Sequence, residues 1–284
     1  GMQLNWTAAS PTTGIVRYAV YGSSDGGVTF QYYGQTANAA ATSLAISGLT
    51  ANTSYIWRVY SVSEGALGSS YPEESQATNA CSFAAGTYSV GPTGTFATLS
   101  AAVSAIVSNG ITGSVIFELQ STYVSTSEPA FPIVLSSVAC ANSGTTVTIR
   151  PEAAATTLSI SSASTTATFD FNGGKYYIID GRAGGTGSPA LTIGNTTTAG
   201  IPIRFVNDAT NNTVKYVTVT GSNTSTTGGL IAFSTTTGTT GNDDNTIDNC
   251  DLNGGGTAGN IIYASGSTTT TATYNSGDRK STRL

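Results

Sequence analysis

The sequence predicts an all-β protein in two parts, a small antiparallel sandwich over residues 1–79 and a coiled β-solenoid over residues 80–277. Three observations carry this. From Ala167 onward, short β-prone runs separated by Gly, Asn, Asp and Thr corners recur with no helical stretch between them, which is the signature of a solenoid. Residues 2–79 hold several short strands at the spacing of a sandwich. Only 9% of the 284 residues are charged, and 34 glycines with abundant Thr, Ser and Asn take their place. About a quarter is usual in soluble domains, so this surface is wetted by hydroxyls and amides rather than ions.

In chain order, Gln3–Thr7 places Leu4 and Trp6 on one face, and Arg17–Tyr21 alternates with Tyr18 and Val20 inward. Ser23-Ser24-Asp25-Gly26-Gly27 makes a hairpin turn into Val28–Tyr32, and Ser43–Ile46 turns Leu44 and Ile46 inward. Asn79–Gly91 reads as a junction. Thr95–Gly110 is the one convincing helix, with Phe96, Leu99, Val103 and Ile106 at helical spacing, Thr95 as cap and Gly110 as stop. Such a helix, about 95–109, covers the open apolar end of a first coil. Val115–Leu119 is then the first solenoid strand, and Thr145–Arg150 ends a later one at Pro151. In Ala167–Arg182, Phe169 and Phe171 alternate with polar neighbours while Tyr176–Ile179 is apolar throughout and covered on both faces. Ala190–Gly194, Ile203–Asn207, Val214–Thr220, Leu230–Phe233, Asn245–Leu252 and Ile261–Ala264 repeat the theme. At about 22–30 residues a coil, residues 112–277 make some six or seven coils. The Thr-rich stretches 234–240 and 267–273 read as lateral loops or corners.

Two of these patterns resemble known families. Trp6, Tyr18-Ala19-Val20 and the run Gly48-Leu49 to Tyr55-Ile56-Trp57-Arg58-Val59 resemble a fibronectin type III domain. The resemblance implies that Tyr55 is the corner tyrosine, its hydroxyl bonded to backbone near Leu49. It also implies that strand A is missing before Trp6, which leaves a sheet edge unpaired. Gly86-Thr87-Tyr88, Phe96–Ile106, Val115–Leu119 and the later Asn-x-x-Ile/Val strands resemble the N-terminal portion of right-handed parallel β-helix proteins of the pectin-lyase-like fold. Such pairings occur in secreted proteins of Bacteroidetes-like bacteria, which implies an extracellular or cell-surface fragment. The last seven residues, 278–284, break the composition abruptly and look like a translated adapter, a non-native tail outside the fold.

Composition excludes several functions. With no His, a Ser-His-Asp triad and a His-ligated zinc are both ruled out for this stretch. A net charge of −5 offers no basic patch for nucleic acid, and no apolar run reaches membrane-spanning length. Of three cysteines, Cys250 lies in a strand-like run as a small buried residue, and Cys81 with Cys140 can form a disulfide.

The one dense group of carboxylates lies in Asn242–Gly254. Asp243 and Asp244 match the paired acids of β-helix glycoside hydrolases, but the His-Gly and Arg-x-Lys that accompany them in that family do not occur. Asn249, Asp251 and Asn253 have the alternating oxygen spacing of a calcium loop, without a closing Glu at the twelfth position, which Asn260 occupies. The structural alternative is simpler: Asn and Asp at solenoid corners bond local backbone and stack in ladders. Tyr176 or Tyr177, Tyr216 and Tyr263 can stack along one lateral face as a sugar-binding row, or stand half inward as core. The expected function is a secreted or cell-surface structural or adhesive protein, non-catalytic, whose β-helix face binds extracellular polysaccharide or a surface protein; calcium is the one cofactor in view. The alternative is a polysaccharide lyase or glycoside hydrolase whose active site lies in coils beyond this stretch.

Overall fold

The computed structural model describes residues 2–50, 53–68, 71–78, 80–234, 241–256 and 258–265, and the backbone of 279–282. The chain divides into two compact units, Gly1–Cys81 and Ser82–Leu284. Most of the Thr-rich stretch 234–240 and all of 267–273 lie outside the described residues.

The first unit holds β1 (Met2–Asn5), β2 (Ile15–Ser23), β3 (Gln31–Gln35), β4 (Ser43–Ile46), β5 (Ser54–Ser63) and β6 (Glu73–Ala77). They form a four-stranded antiparallel sheet in the order β3-β2-β5-β6 and a two-stranded one, β1-β4. Leu4 and Ile46 of the small sheet share one core with Tyr18, Val20, Tyr55, Trp57 and Val59 of the large one. The Tyr55 hydroxyl accepts the Thr50 N–H at 3.0 Å. Gly22 is required where it stands, because an added Cβ would press into the Trp57 ring. The expected strand Val28–Tyr32 begins later, at Gln31, and Val28 is 81% exposed. The cause is Asp25, whose carboxylate accepts the N–H groups of Val28 and Thr29 and the Ser23 and Thr29 hydroxyls. These bonds, Ser23's the largest, hold that carboxyl below its usual range and keep 23–29 as a loop.

The second unit begins with β7 (Gly86–Val90), α1 (Leu99–Asn109), β8 (Val115–Leu119), β9 (Ile133–Leu135) and β10 (Val147–Pro151). It continues with β11 (Leu158–Ser162), β12 (Ala167–Asn172), β13 (Tyr177–Asp180), β14 (Leu191–Asn195), β15 (Ile201–Val206) and β16 (Thr213–Lys215). β17 (Thr218–Gly221), β18 (Ile231–Phe233), β19 (Thr246–Asn253), β20 (Ile262–Ala264) and β21 (Arg279–Thr282) complete it. Successive strands fall on three faces. The first is β7-β8-β10-β13-β16-β19-β21, the second β11-β14-β17-β19, and the third β9-β12-β15-β18-β20. Every pairing between these strands is parallel, and the whole is a β-solenoid of about five turns.

The turn count is lower than the expected six or seven because each coil is longer. Val115 pairs with Val147, 32 residues on, Val147 with Tyr177, 30 on, and Ile178 with Thr213, 35 on. Extra residues go into corners, which local apolar runs do not count. Two expected strands are also broken by corners: Tyr216 (φ 56°) divides 214–220, and Asn249 (φ 50°) bends β19 so that it serves two faces. The first strand of the first face is β7, inside the expected junction, with Val90 fully buried and Thr87 and Ser89 outward against Ile116 and Glu118. The backbone of 279–282, expected to lie outside the fold, pairs with β19. An open last rung offers unpaired N–H and C=O groups, and a parallel ladder is largely indifferent to the side chains that fill it.

The interior consists of ladders. Phe117, Ile149, Ile179, Val214 and Ile247 stack in register under the first face. Under the third, Phe171, Phe205 and Phe233 stack ring on ring at 4.4 Å and 4.7 Å with interplanar angles of 15° and 8°. The helix begins at Leu99 rather than near Thr95. Phe96 is extended, bridged to Val90, and it is Thr98 whose hydroxyl accepts the Ala101 N–H. The next free helix donors, Leu99 N–H and Ser100 N–H, go to the buried Glu128 carboxylate at 2.6 Å and 3.1 Å, which also accepts the Tyr123 hydroxyl. Leu99, Ala102, Val103 and Ile106 of α1 are buried in the solenoid core. Cys250 is free and 1% exposed. Among the described residues, no helix is long and apolar enough to cross a membrane.

Candidate functional site

The outer surface of the first face is the longest regular surface in the solenoid. Because side chains alternate, each strand sends two outward there. One row runs Thr87, Ile116, Thr148, Ile178, Thr213, Thr246 from rung to rung. The row beside it, two residues further along each strand, is Ser89, Glu118, Arg150, Asp180, Lys215, Asp248. From Glu118 onward its charge alternates in sign at every step, in a chain where charges are scarce.

These charges hold one another. Arg150 donates to Glu118 Oε1 at 2.9 Å and 2.6 Å through Nε and Nη2. Asp180, whose side chain is only 5% exposed, accepts two bonds from the Arg182 guanidinium at 2.9 Å and 2.7 Å and its backbone N–H at 3.1 Å. The Lys215 ammonium lies 3.2 Å from the same carboxylate. Burial pushes the Asp180 carboxyl up, but Arg182 and Lys215 outweigh it and hold the group below the usual carboxylate range. Arg182 also lies 4.3 Å over the Tyr216 ring. Gly181 permits this corner, since a Cβ there would collide with the Tyr216 carbonyl. On the third face Asp170 and Arg204 form a second bidentate pair at 2.9 Å and 2.7 Å.

The tyrosine row does not form. Tyr176 (φ 62°) sits at the corner entering the first face, Tyr216 at the corner leaving it, and Tyr263 lies on the third face opposite Ala232. Tyr177 is fully buried and donates its hydroxyl to the Ser136 carbonyl at 2.9 Å. Coil lengths vary widely, from the 26 residues between Thr192 and Thr218 to the 36 between Ile133 and Phe169, so tyrosines at similar sequence intervals land at different points of the turn.

Asp243 and Asp244 lie together at the corner before β19. Asp243 is half-buried, and Asp244 (φ 55°) is exposed. The asparagines around them form the ladder. Asn212 Nδ2 donates to Asn245 Oδ1 at 2.9 Å, Asn245 Nδ2 to the Ala209 carbonyl at 2.8 Å, and Asn242 Oδ1 accepts the Ala209 N–H at 3.1 Å. Asn242 and Asn245 are fully buried and Asn212 is 1% exposed. Of the calcium candidates, Asp251 and Asn253 line an open cleft of about 310 Å³ with Gly254–Gly256, Ala258 and Ile261. Asn249 stays behind at the corner, and the Asn253 side-chain Oδ1 already accepts the Gly255 N–H at 3.0 Å. Among the described residues no three His, Cys, Asp or Glu converge as a metal would require.

The alternating row is the feature that residue-by-residue reading passes over. Its signal was present as acids and bases recurring every 30–35 residues, a period visible only once the coil length is known. Comparison with protein-family models, curated proteins and solved structures finds no match.

Proposed function

We propose that this chain is a secreted or cell-surface structural or adhesive protein whose solenoid presents its first face for non-catalytic binding of extracellular polysaccharide or a surface protein. The first unit is then a fibronectin type III-like module, and the second the capped beginning of a right-handed parallel β-helix with α1 as its lid. The single observation that carries the reading is the outer first face, a row of four threonines and two isoleucines beside a row in which Glu118 is paired with Arg150 and Asp180 with Lys215 and Arg182. Resolved titration shifts among the described residues all run away from neutrality. Asp25 and Asp180 go down, Cys250 goes up to about 11, and Tyr123 and Tyr177 go up. The Tyr55–Thr50 bond and the antiparallel sheets favour the type III reading of the first unit.

The test is incubation of the full chain with polygalacturonate and a panel of other acidic polysaccharides, reading both retention and products. The expected result is retention without new reducing ends or unsaturated products, abolished by the double variant Thr148→Arg, Thr213→Arg on the first face. Product formation sinks the non-catalytic reading. Retention that ignores the double variant removes the first face from it.

A further inference from the structure

We infer that the first unit carries its own binding surface, the outer face of the sheet β3-β2-β5-β6, and that it takes an uncharged polysaccharide chain. This does not rest on the solenoid reading. Tyr21 on β2, Tyr32 on β3 and Tyr60 on β5 stand outward, with Phe30 just before β3 and Tyr71 just before β6. Tyr32 is 54% exposed and the other four are half-buried. The rings follow one another across the sheet. Tyr32 to Tyr21 is 5.5 Å edge to face, Tyr21 to Tyr60 5.4 Å edge to face, and Tyr60 to Tyr71 4.7 Å tilted. Ala19, opposite Tyr60, is the small residue beside them and is itself 4% exposed.

Charge on this face is sparse: Arg17 is exposed on β2, and the cation that stands against the rings is already paired. Arg58, the cation among the rings, lies 3.6 Å from the Phe30 centroid and 4.5 Å from that of Tyr71. Its Nε donates to Glu73 at 2.8 Å, so its charge is already matched. The hydroxyls of Tyr21 and Tyr32 have no protein partner among the described residues and remain available to a ligand. Aromatic faces that take C–H groups, beside phenols that donate and accept, suit a neutral sugar chain with apolar ring faces and equatorial hydroxyls.

Topology and area exclude the other occupants. β2 and β5 are interior strands with partners on both sides, so an added peptide strand finds no free backbone there. At about 200 Å² for a whole ring, five partly covered rings offer on the order of 400 Å². A stable protein interface takes about 800 Å² from each partner. That area suits a short run of sugar residues instead.

The experiment is affinity electrophoresis of the full chain through gels containing hydroxyethyl cellulose, xyloglucan or galactomannan, against a polysaccharide-free gel. Retardation by at least one is expected, weakened roughly tenfold in Kd by Tyr32→Ala or Tyr21→Ala. Tyr32→Phe, which keeps the ring, should stay within about threefold of wild type. Tyr32 is half out of the fold, so its variants are expected to melt with wild type; Thr148→Arg with Thr213→Arg on the solenoid should leave retardation unchanged. The inference is overturned by no retardation in any gel, by retardation indifferent to both alanine variants, or by tyrosine-dependent binding only to a proline-rich peptide.

Discussion

Phe205→Ala is the sharpest probe of the solenoid interior. Phe205 is fully buried, with the Phe171 ring at 4.4 Å on one side and the Phe233 ring at 4.7 Å on the other. Losing the side chain forfeits about 1.5–3 kcal/mol of burial. The void adds to this, because neighbouring rungs are fixed by their own backbone pairing and cannot collapse into it; Phe→Ala changes in tight cores total about 3–5 kcal/mol. We take about 4 kcal/mol, which at roughly 2 kcal/mol per molar urea moves the unfolding midpoint down by about 2 M. The assay separates the units cleanly. Both tryptophans, Trp6 and Trp57, lie in the first unit, and the free thiol, Cys250, lies in the second. Thiol labelling after equilibration in urea therefore follows the solenoid, while tryptophan fluorescence follows the first unit. In a stack held by nearest-neighbour contacts, a weakened rung releases the coils beyond it, Cys250 among them, at lower urea. A thiol midpoint shifted by less than about 0.5 M, or an equal shift in fluorescence, would refute the argument.

Three further outcomes are expected. Glu128→Ala strips two helix N–H groups and the Tyr123 hydroxyl of a buried charged acceptor, and should cost the solenoid about 2–4 kcal/mol in the same urea assay, with Glu128→Gln recovering part of it. Asp180 is held below its unfolded value, so its contribution is complete above about pH 4 and fades as pH falls through the folded pKa; the stability gap between wild type and Asp180→Asn should narrow on acidification below about pH 4, and a gap that widens there would contradict the sign. Cys250 is raised to about 11 by burial, so it contributes fully below the unfolded thiol value near 8.5 and that contribution is lost as pH rises toward 11. Native labelling at pH 8 should be orders of magnitude slower than for the urea-unfolded chain; comparable rates would place the thiol at the surface.

Much of the site's geometry was not legible residue by residue. Tyr176 and Tyr216 look equivalent in sequence, each following a strand-like run or opening one, yet they stand on opposite edges of the first face. Glu128 carries no local sign of its role, since its partners Leu99 and Ser100 lie on a helix about thirty residues earlier. The aromatic face of the first unit is spread over Tyr21, Phe30, Tyr32, Tyr60 and Tyr71, and only sheet pairing gathers them.

What the sequence determined alone is everything set by neighbours along the chain. Alternation in Val115–Leu119 specifies a strand with one buried side, and Gly, Asn and Asp specify where such strands must turn; the same alternation at Phe169–Phe171 does not reveal that Thr168 and Asp170 are buried as well. The tertiary structure alone decided which strand lies over which. Stacking is set by how many residues each corner absorbs, and moving a rung by one residue exchanges its inward and outward sets. That register brings Glu118 to Arg150, Asp180 to Lys215 and Phe171 to Phe205, contacts between residues 32 to 35 apart that no local pattern encodes.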